Sequence, residues 1–101
     1  MELLERLRGC TGFQWDEGNA NKNWKKHRVT QSESEAIFFC QPLVVADDIA
    51  HADAEERFFA LGHTKRARLL FVVFGIRRRK IRVISARDMT KKEREVYRFH
   101  G

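Results

Sequence analysis

The stretch Leu69-Leu70-Phe71-Val72-Val73-Phe74 is apolar at every position, and it is followed almost at once by Arg77-Arg78-Arg79 and then by Lys80-Ile81-Arg82-Val83-Ile84-Ser85-Ala86. A run with no polar position suits a strand covered on both faces, so it belongs in the middle of a sheet. The short, very basic connection leaves room only for a turn, which makes the two segments an antiparallel hairpin. Alternation along the second segment assigns Ile81, Val83 and Ser85 to one face and Arg82, Ile84 and Ala86 to the other. A central strand needs partners on its far side. Leu43-Val44-Val45-Ala46 and Arg57-Phe58-Phe59-Ala60-Leu61, the first followed by an acidic turn at Asp47-Asp48 and the second ended by Gly62, supply them.

The flanking segments read as helices and one more strand. Phe13-Gln14-Trp15 alternates as a short strand, and Asp16 is placed to cap a helix from Glu17 to His27 whose inner face carries Ala20, Trp24 and His27. Ser32 and Glu35 have the spacing of a capping box, predicting a second helix through Ala36, Phe39 and Cys40 that Pro42 stops. Thr90 and Glu93 repeat that spacing and open a last helix with Val96 and Tyr97. Residues 1–12 hold a helical turn through Leu3, Leu4 and Leu7 and read as an appendage to a single domain over residues 13–101. The expected fold is therefore α/β of the α+β kind. It has a largely antiparallel sheet of about five strands, two helices before the meander and one after it.

A length of 101 residues fits one domain, and 43% apolar content with 11% aromatics is that of a packed core rather than a disordered chain. The start, Met1-Glu2-Leu3-Leu4-Glu5-Arg6, lacks the basic stretch and long apolar run of a signal peptide, and no apolar run approaches a membrane span. A cytoplasmic protein is expected. Cys10 and Cys40 have neither metal-ligand nor redox-pair spacing and read as free thiols, so no metal site is expected.

The net charge of +6 hides a segregation: residues 1–56 carry 6 Lys and Arg against 11 Asp and Glu, a net of −5, whereas residues 57–101 carry 14 against 3, a net of +11. An excess concentrated in one half points to a polyanionic partner. No phosphate-binding glycine loop, dinucleotide fingerprint, zinc-protease helix or serine-esterase elbow is present, and no cofactor is expected. If the polyanion is RNA, metal-free cleavage needs a deprotonated 2′-hydroxyl, a stabilised phosphorane and a protonated leaving oxygen; guanidinium groups suit the second task.

The candidates for chemistry are Arg57, Arg82 and Arg87 at the phosphate, His27 or Glu56 moving protons, and Tyr97 assisting. Lys26, Arg68, Arg77, Arg78, Arg79 and Lys80 are candidates for RNA contact. Each has a plain structural reading beside this one. An arginine on a strand can be a salt-bridged surface residue, His27 can close a helix face, Glu56 can pair with Arg57, and Trp15 and Tyr97 suit core packing better than base stacking.

Taken in order, these residues form a pattern. Phe13-x-Trp15-Asp16, Asn23, Lys26-His27-x-Val29, Ala36, Phe39 and Pro42-Leu43 are followed by Glu56-Arg57-Phe58, Gly62 and Arg68-Leu69-Leu70. Ile81 to Arg87, Glu93-Arg94 and Tyr97 close it. The chain thereby resembles the BrnT family of type II toxins from Phe13 to about Arg98, with one departure, at Asn19 or Ala20, where such proteins commonly carry a lysine and for which Lys22 can substitute. The resemblance implies a RelE-like fold, a ribonuclease activity that stops translation, and neutralisation by a BrnA-like antitoxin in a complex with two copies of each chain. Operator DNA would be contacted through that antitoxin. The residues alone leave open a non-catalytic nucleic-acid-binding subunit or a protein-interaction module.

Overall fold

The predicted hairpin is the centre of the molecule: β4 (Leu69–Arg77) and β5 (Lys80–Asp88) pair antiparallel along their whole lengths in a computed structural model that describes residues 2–16, 18–47 and 56–100. Before them come α1 (Leu3–Arg8), β1 (Gly12–Gln14), α2 (Asn19–His27), α3 (Gln31–Ala36) running into a 3-10 turn (Ile37–Phe39), β2 (Val44–Asp47) and β3 (Phe58–His63). Helix α4 (Lys91–His100) follows. The sheet order is β1-β5-β4-β3-β2, antiparallel except for the β1 and β5 pair, which is parallel.

One sheet face carries the main core. Phe58 and Ala60 of β3, Leu70, Val72 and Phe74 of β4, and Ile81, Val83 and Ala86 of β5 pack with Val29 and Ile37 from the helical layer. Leu3 and Leu7 of α1 lie against the same core, so the first helix is seated on the domain. The opposite face has a smaller cluster, Leu61, Met89 and Tyr97, with Val44, Leu69 and Phe71 beside it. Tyr97 belongs to α4 and donates its hydroxyl hydrogen bond to the Pro42 carbonyl at 2.6 Å, which fixes that helix over one end of the sheet.

Several expectations are corrected. Strict alternation in β5 fails because Val73 pairs with Ser85 while Phe74 pairs with Val83, leaving Ile84 as a bulge. The extra residue shifts the pattern, so Ala86 joins Ile81 and Val83 in the main core instead of sharing a face with Arg82. Gly62 does not end β3. A side chain there would place a Cβ 2.9 Å from Ile37 Cβ, so glycine lets the strand run beneath the 3-10 turn to His63. The second helix is capped by Thr30 and Glu33, whose reciprocal bonds are 3.1 and 2.9 Å, rather than by Ser32 and Glu35. It ends at Ala36, and Phe39 is exposed. Asp48 of the expected acidic turn lies outside the described residues.

Helix α2 departs furthest from its predicted face. It runs from Asn19 with Gly18 at its N-cap, the expected first residue Glu17 lying outside the described residues, and its buried residue is Asn23, while Trp24 is 45% exposed. The cause is the edge of β5. Beyond Arg82 no strand among the described residues pairs with that edge, and α2 fills the gap with amides. Asn23 Oδ1 accepts from the Ala86 N–H at 3.2 Å, and Asn19 Nδ2 donates to the Val83 carbonyl at 3.3 Å. A polar helix face thus completes backbone hydrogen bonding that an apolar one would leave unmade.

Candidate nucleic-acid interface

Cross-strand register determines which cations gather. Arg82 stands opposite Gly75 and Lys80 opposite Arg77, all four on the face away from the main core. Phe58 pairs with Phe74, so carrying the ladder one residue further sets Arg57 opposite Gly75 from the other side. The Glu56 carbonyl lies 3.5 Å from where a Gly75 Cβ would be, which agrees with that placement. Arg57 and Arg82 therefore flank a residue with no side chain, about 10 Å apart across two strand spacings. Arg77 and Lys80 extend the same cluster toward the hairpin tip. Arg77, Arg78 and Lys80 also line a groove with Phe13, Gln14 and Trp15 of the neighbouring edge.

Asp16 is the acid in this cluster that sequence reasoning assigned elsewhere. Its side chain does not cap α2; Oδ2 accepts from Arg82 Nε at 3.0 Å and from Arg82 Nη2. The Arg82 hydrogen bond, with the charges of Arg82 and Arg77, holds the Asp16 carboxyl below the usual carboxylate range. Asp16 is an anion at neutral pH and orients the guanidinium. Arg57 has no ion-pair partner among the described residues.

The remaining candidates sit apart from this cluster. Arg87 shares the sheet face but lies about 15 Å along β5 from Arg82, with its guanidinium on the Phe71 ring and both terminal nitrogens on Glu93 at 2.8 and 2.9 Å. Tyr97 is buried, and burial pushes its hydroxyl above the ordinary value. Glu56 pairs with Arg6 of α1 at 3.0 Å, on the core side of the sheet. His27 ends α2, near Asp88 at the opposite end of β5 from Arg82. Lys26 is exposed on α2. Trp15 donates to Glu35 at 2.7 Å and packs partly against the core.

Arg68 is a clamp rather than a surface cation. Its nitrogens reach Asp88 at 2.8 and 3.2 Å, Glu33 at 3.1 Å, and the carbonyls of Arg28 at 2.8 Å and His27 at 3.1 Å. It ties the end of α2 to α3 and to the end of β5. The tip arginines Arg78 and Arg79 both have left-handed backbone, with φ of 51° and 63°, and Arg79 Nε donates to the Gly9 carbonyl at 3.0 Å. Among the described residues no three His, Cys, Asp or Glu side chains group as a metal site.

A search of curated proteins finds no match. Among solved structures, the ribonuclease toxin BrnT of Brucella abortus superposes with a TM-score of 0.58 at 21% identity, covering 80% of this chain and 99% of that one. At that identity the likeness is one of fold, and the fold is the five-stranded α+β arrangement described above. The family model for the ribonuclease toxin BrnT of type II toxin-antitoxin systems matches residues 15–93, from the tryptophan before Asp16 to the glutamate that holds Arg87. The chain belongs to the BrnT family of ribonuclease toxins.

Proposed function

We propose that this chain is an endoribonuclease that cuts RNA without a metal cofactor, acts in the cytoplasm to halt translation, and is restrained by a BrnA-like antitoxin. The observation that carries the reading is the pair Arg57 and Arg82 on either side of Gly75 on one sheet face, with Arg77 and Lys80 beyond them. Two guanidinium groups at that spacing can both reach one phosphate. As the 2′-oxygen attacks, negative charge grows on the non-bridging oxygens, and fixed guanidinium donors stabilise it more than they stabilise the ground state. Asp16 holds Arg82 in place, so little reorganisation is needed when that charge appears. Glu56 pairs with Arg6 on the opposite side of the sheet from the arginine pair and belongs to the framework in this reading. His27, Arg87 and Tyr97 act in this reading through the framework.

The test is cleavage of a mixed RNA substrate by purified protein in excess EDTA. Arg57→Ala and Arg82→Lys should each lower the rate roughly 100-fold or more, with melting curves close to the parent. Loss of cleavage on chelation would end the metal-free reading, and full activity in both variants would remove the pair. A non-catalytic nucleic-acid-binding subunit is the second reading, favoured by the carboxylate pairing of Arg82 and Arg87. It predicts salt-steep binding to duplex DNA and no cleavage of any RNA. A complex with two copies each of toxin and antitoxin, contacting operator DNA through the antitoxin, belongs to the same proposal. Sedimentation of the co-expressed pair, with and without operator DNA, checks it.

A further inference from the structure

Helix α2 presents a second surface, which the charge count by halves conceals because it lies in the acidic half of the chain. Asn19 and Asn23 face β5, so the outward arc of the helix carries Trp24 and Lys25, with the exposed Lys22 and Lys26 on the flank opposite Trp24, and the helix contains no acidic residue. Trp24 is 45% exposed, and the Arg28 guanidinium covers its ring at 5.1 Å. Arg28 occupies the C-cap with φ of 54°, a left-handed position where glycine is the ordinary occupant. Its backbone is held there by the Arg68 bond to its carbonyl at 2.8 Å. An arginine kept at that position against its backbone preference, with its side chain folded onto an exposed tryptophan, calls for a reason outside the helix.

We propose that Trp24 and Arg28, with Lys25 beside them, form a contact surface for single-stranded RNA distinct from the Arg57 and Arg82 cluster. An exposed indole offers a face to an unpaired base, an arginine stacked on it adds a cation at the same level, and Lys25 on the same arc of the helix meets a backbone phosphate. Nothing in this set reads base identity, so the surface binds strands by stacking and charge. The helix begins three residues after Asp16, which holds Arg82, and rises about 1.5 Å per residue toward Trp24. A strand leaving the cluster has a route to the surface along α2. The inference takes RNA as its ligand from the function proposed above.

The experiment titrates the full chain with a single-stranded 2′-O-methyl oligoribonucleotide, which lacks the attacking hydroxyl, and follows tryptophan fluorescence. The chain has two tryptophans, so Trp24→Phe identifies the signal belonging to Trp24. Binding should quench that signal, and Trp24→Ala should weaken affinity roughly tenfold. Arg28→Gly should weaken it several-fold while melting at or above the parent temperature, because glycine relieves the left-handed backbone. That opposite movement separates a binding role from a structural one. Lys25→Ala should make the salt dependence shallower.

Parent-like affinity in both Trp24→Ala and Arg28→Gly overturns the proposal. So does equal quenching by an oligoglutamate peptide of matching charge, which would assign the surface to an acidic protein segment. If Trp24 is quenched by the oligonucleotide but the parent cuts no RNA, the ribonuclease reading fails and the surface stands. If the parent cuts RNA and neither variant alters oligonucleotide affinity or KM, the surface fails alone.

Discussion

The Arg87 guanidinium carbon sits over the Phe71 ring, 4.1 Å from its centroid, while its two terminal nitrogens donate one bond each to the two carboxylate oxygens of Glu93. Glu93 also accepts from the Thr90 N–H at 2.8 Å, so one carboxylate joins the α4 cap to the open face of the sheet. Arg87→Ala is expected to cost roughly 1–3 kcal/mol, combining a lost cation–π contact with an orphaned, partly buried carboxylate. Urea unfolding measures this. If Arg87 instead acts at the phosphate, the variant will keep parent stability and lose cleavage.

Arg68 bonds two carboxylates and two helix-terminal carbonyls at once. Removing it leaves the end of α2 without those partners, and Arg68→Ala should cost roughly 2–3 kcal/mol, discounted because Asp88 is well exposed. Arg68→Lys keeps the charge but cannot reach all four acceptors, and should recover less than half of the loss. Amide exchange at Val29, just past that end, reports the loosening directly. Unchanged protection in Arg68→Ala would show that Arg68 is not the clamp.

The pH dependence has two arms of opposite origin. Arg87 holds Glu93 below the usual carboxylate range, and Arg68 does the same for Asp88; at Glu33 burial pushes upward but the bonds from Thr30 and Arg68 outweigh it. Depressed carboxyls contribute stability that is present above their unfolded values and lost as pH falls through the folded ones. His63 runs the other way. Its two ring nitrogens lie 2.8 Å from the Gln41 and Thr64 carbonyls, which favours the imidazolium and raises its pKa. That contribution is fully present below the ordinary histidine value and is lost as pH rises through the raised one. Urea midpoints should therefore fall on both sides of a maximum, and His63→Gln should flatten the alkaline arm. An unaltered alkaline arm in that variant would remove His63.

The meander from β2 to β5 was legible because β4 is apolar at every position from Leu69 to Phe74 and is joined to β5 by a turn too short for any other pairing, whereas the parallel seat of β1 beside β5 was not. Family membership was legible from the ordered residues between Trp15 and Glu93. The bulge at Ile84 was not, because Val83, Ile84 and Ser85 read as unbroken alternation and the extra residue exists only relative to the register of β4. The inward face of α2 was hidden for a related reason. Apolar periodicity chose Trp24, whereas the neighbour is a bare strand edge that needs amides, and no local pattern announces an edge two elements away. Thr30-x-x-Glu33 was the one missed signal plainly written in the chain, masked by Ser32-x-x-Glu35 beside it. In the cation cluster Arg57 and Arg82 were nameable individually. Their common position beside Gly75 depends on two strand registers that no spacing encodes.

Asn23 is buried with its Oδ1 on the Ala86 N–H and its Nδ2 without a hydrogen-bond partner among the described residues. Asn23→Ala would strand the Ala86 N–H on a covered strand edge, at about 1–3 kcal/mol. Asn23→Thr retains an oxygen on a shorter side chain and should recover only part of this. Hydrogen exchange at Ala86 should accelerate in both variants well before global unfolding. Parent-like protection at Ala86 would mean that another group serves that amide.

The hairpin tip spends stability on charge. Arg78 and Arg79 both adopt positive φ, the geometry of a two-residue turn for which Asn-Gly is the favoured sequence. Left-handed backbone costs each non-glycine residue about 1 kcal/mol or more, partly offset by the Thr11 N–H bond to the Arg79 carbonyl at 2.7 Å and by the Arg79 bond to Gly9. Replacing Arg78-Arg79 with Asn-Gly should keep the backbone of the turn and its carbonyl bond while removing two cations from the hairpin tip, of which Arg79 lies on the α1 side. The expected outcome is a protein more stable by about 1–2 kcal/mol, with weaker RNA binding and a shallower salt dependence. Thermal unfolding and a salt titration of RNA affinity measure the two effects separately. A gain in stability with unchanged RNA affinity at every salt concentration would make the tip arginines solvated turn residues. A loss of stability would mean that the Arg79 bond to Gly9 outweighs the backbone cost.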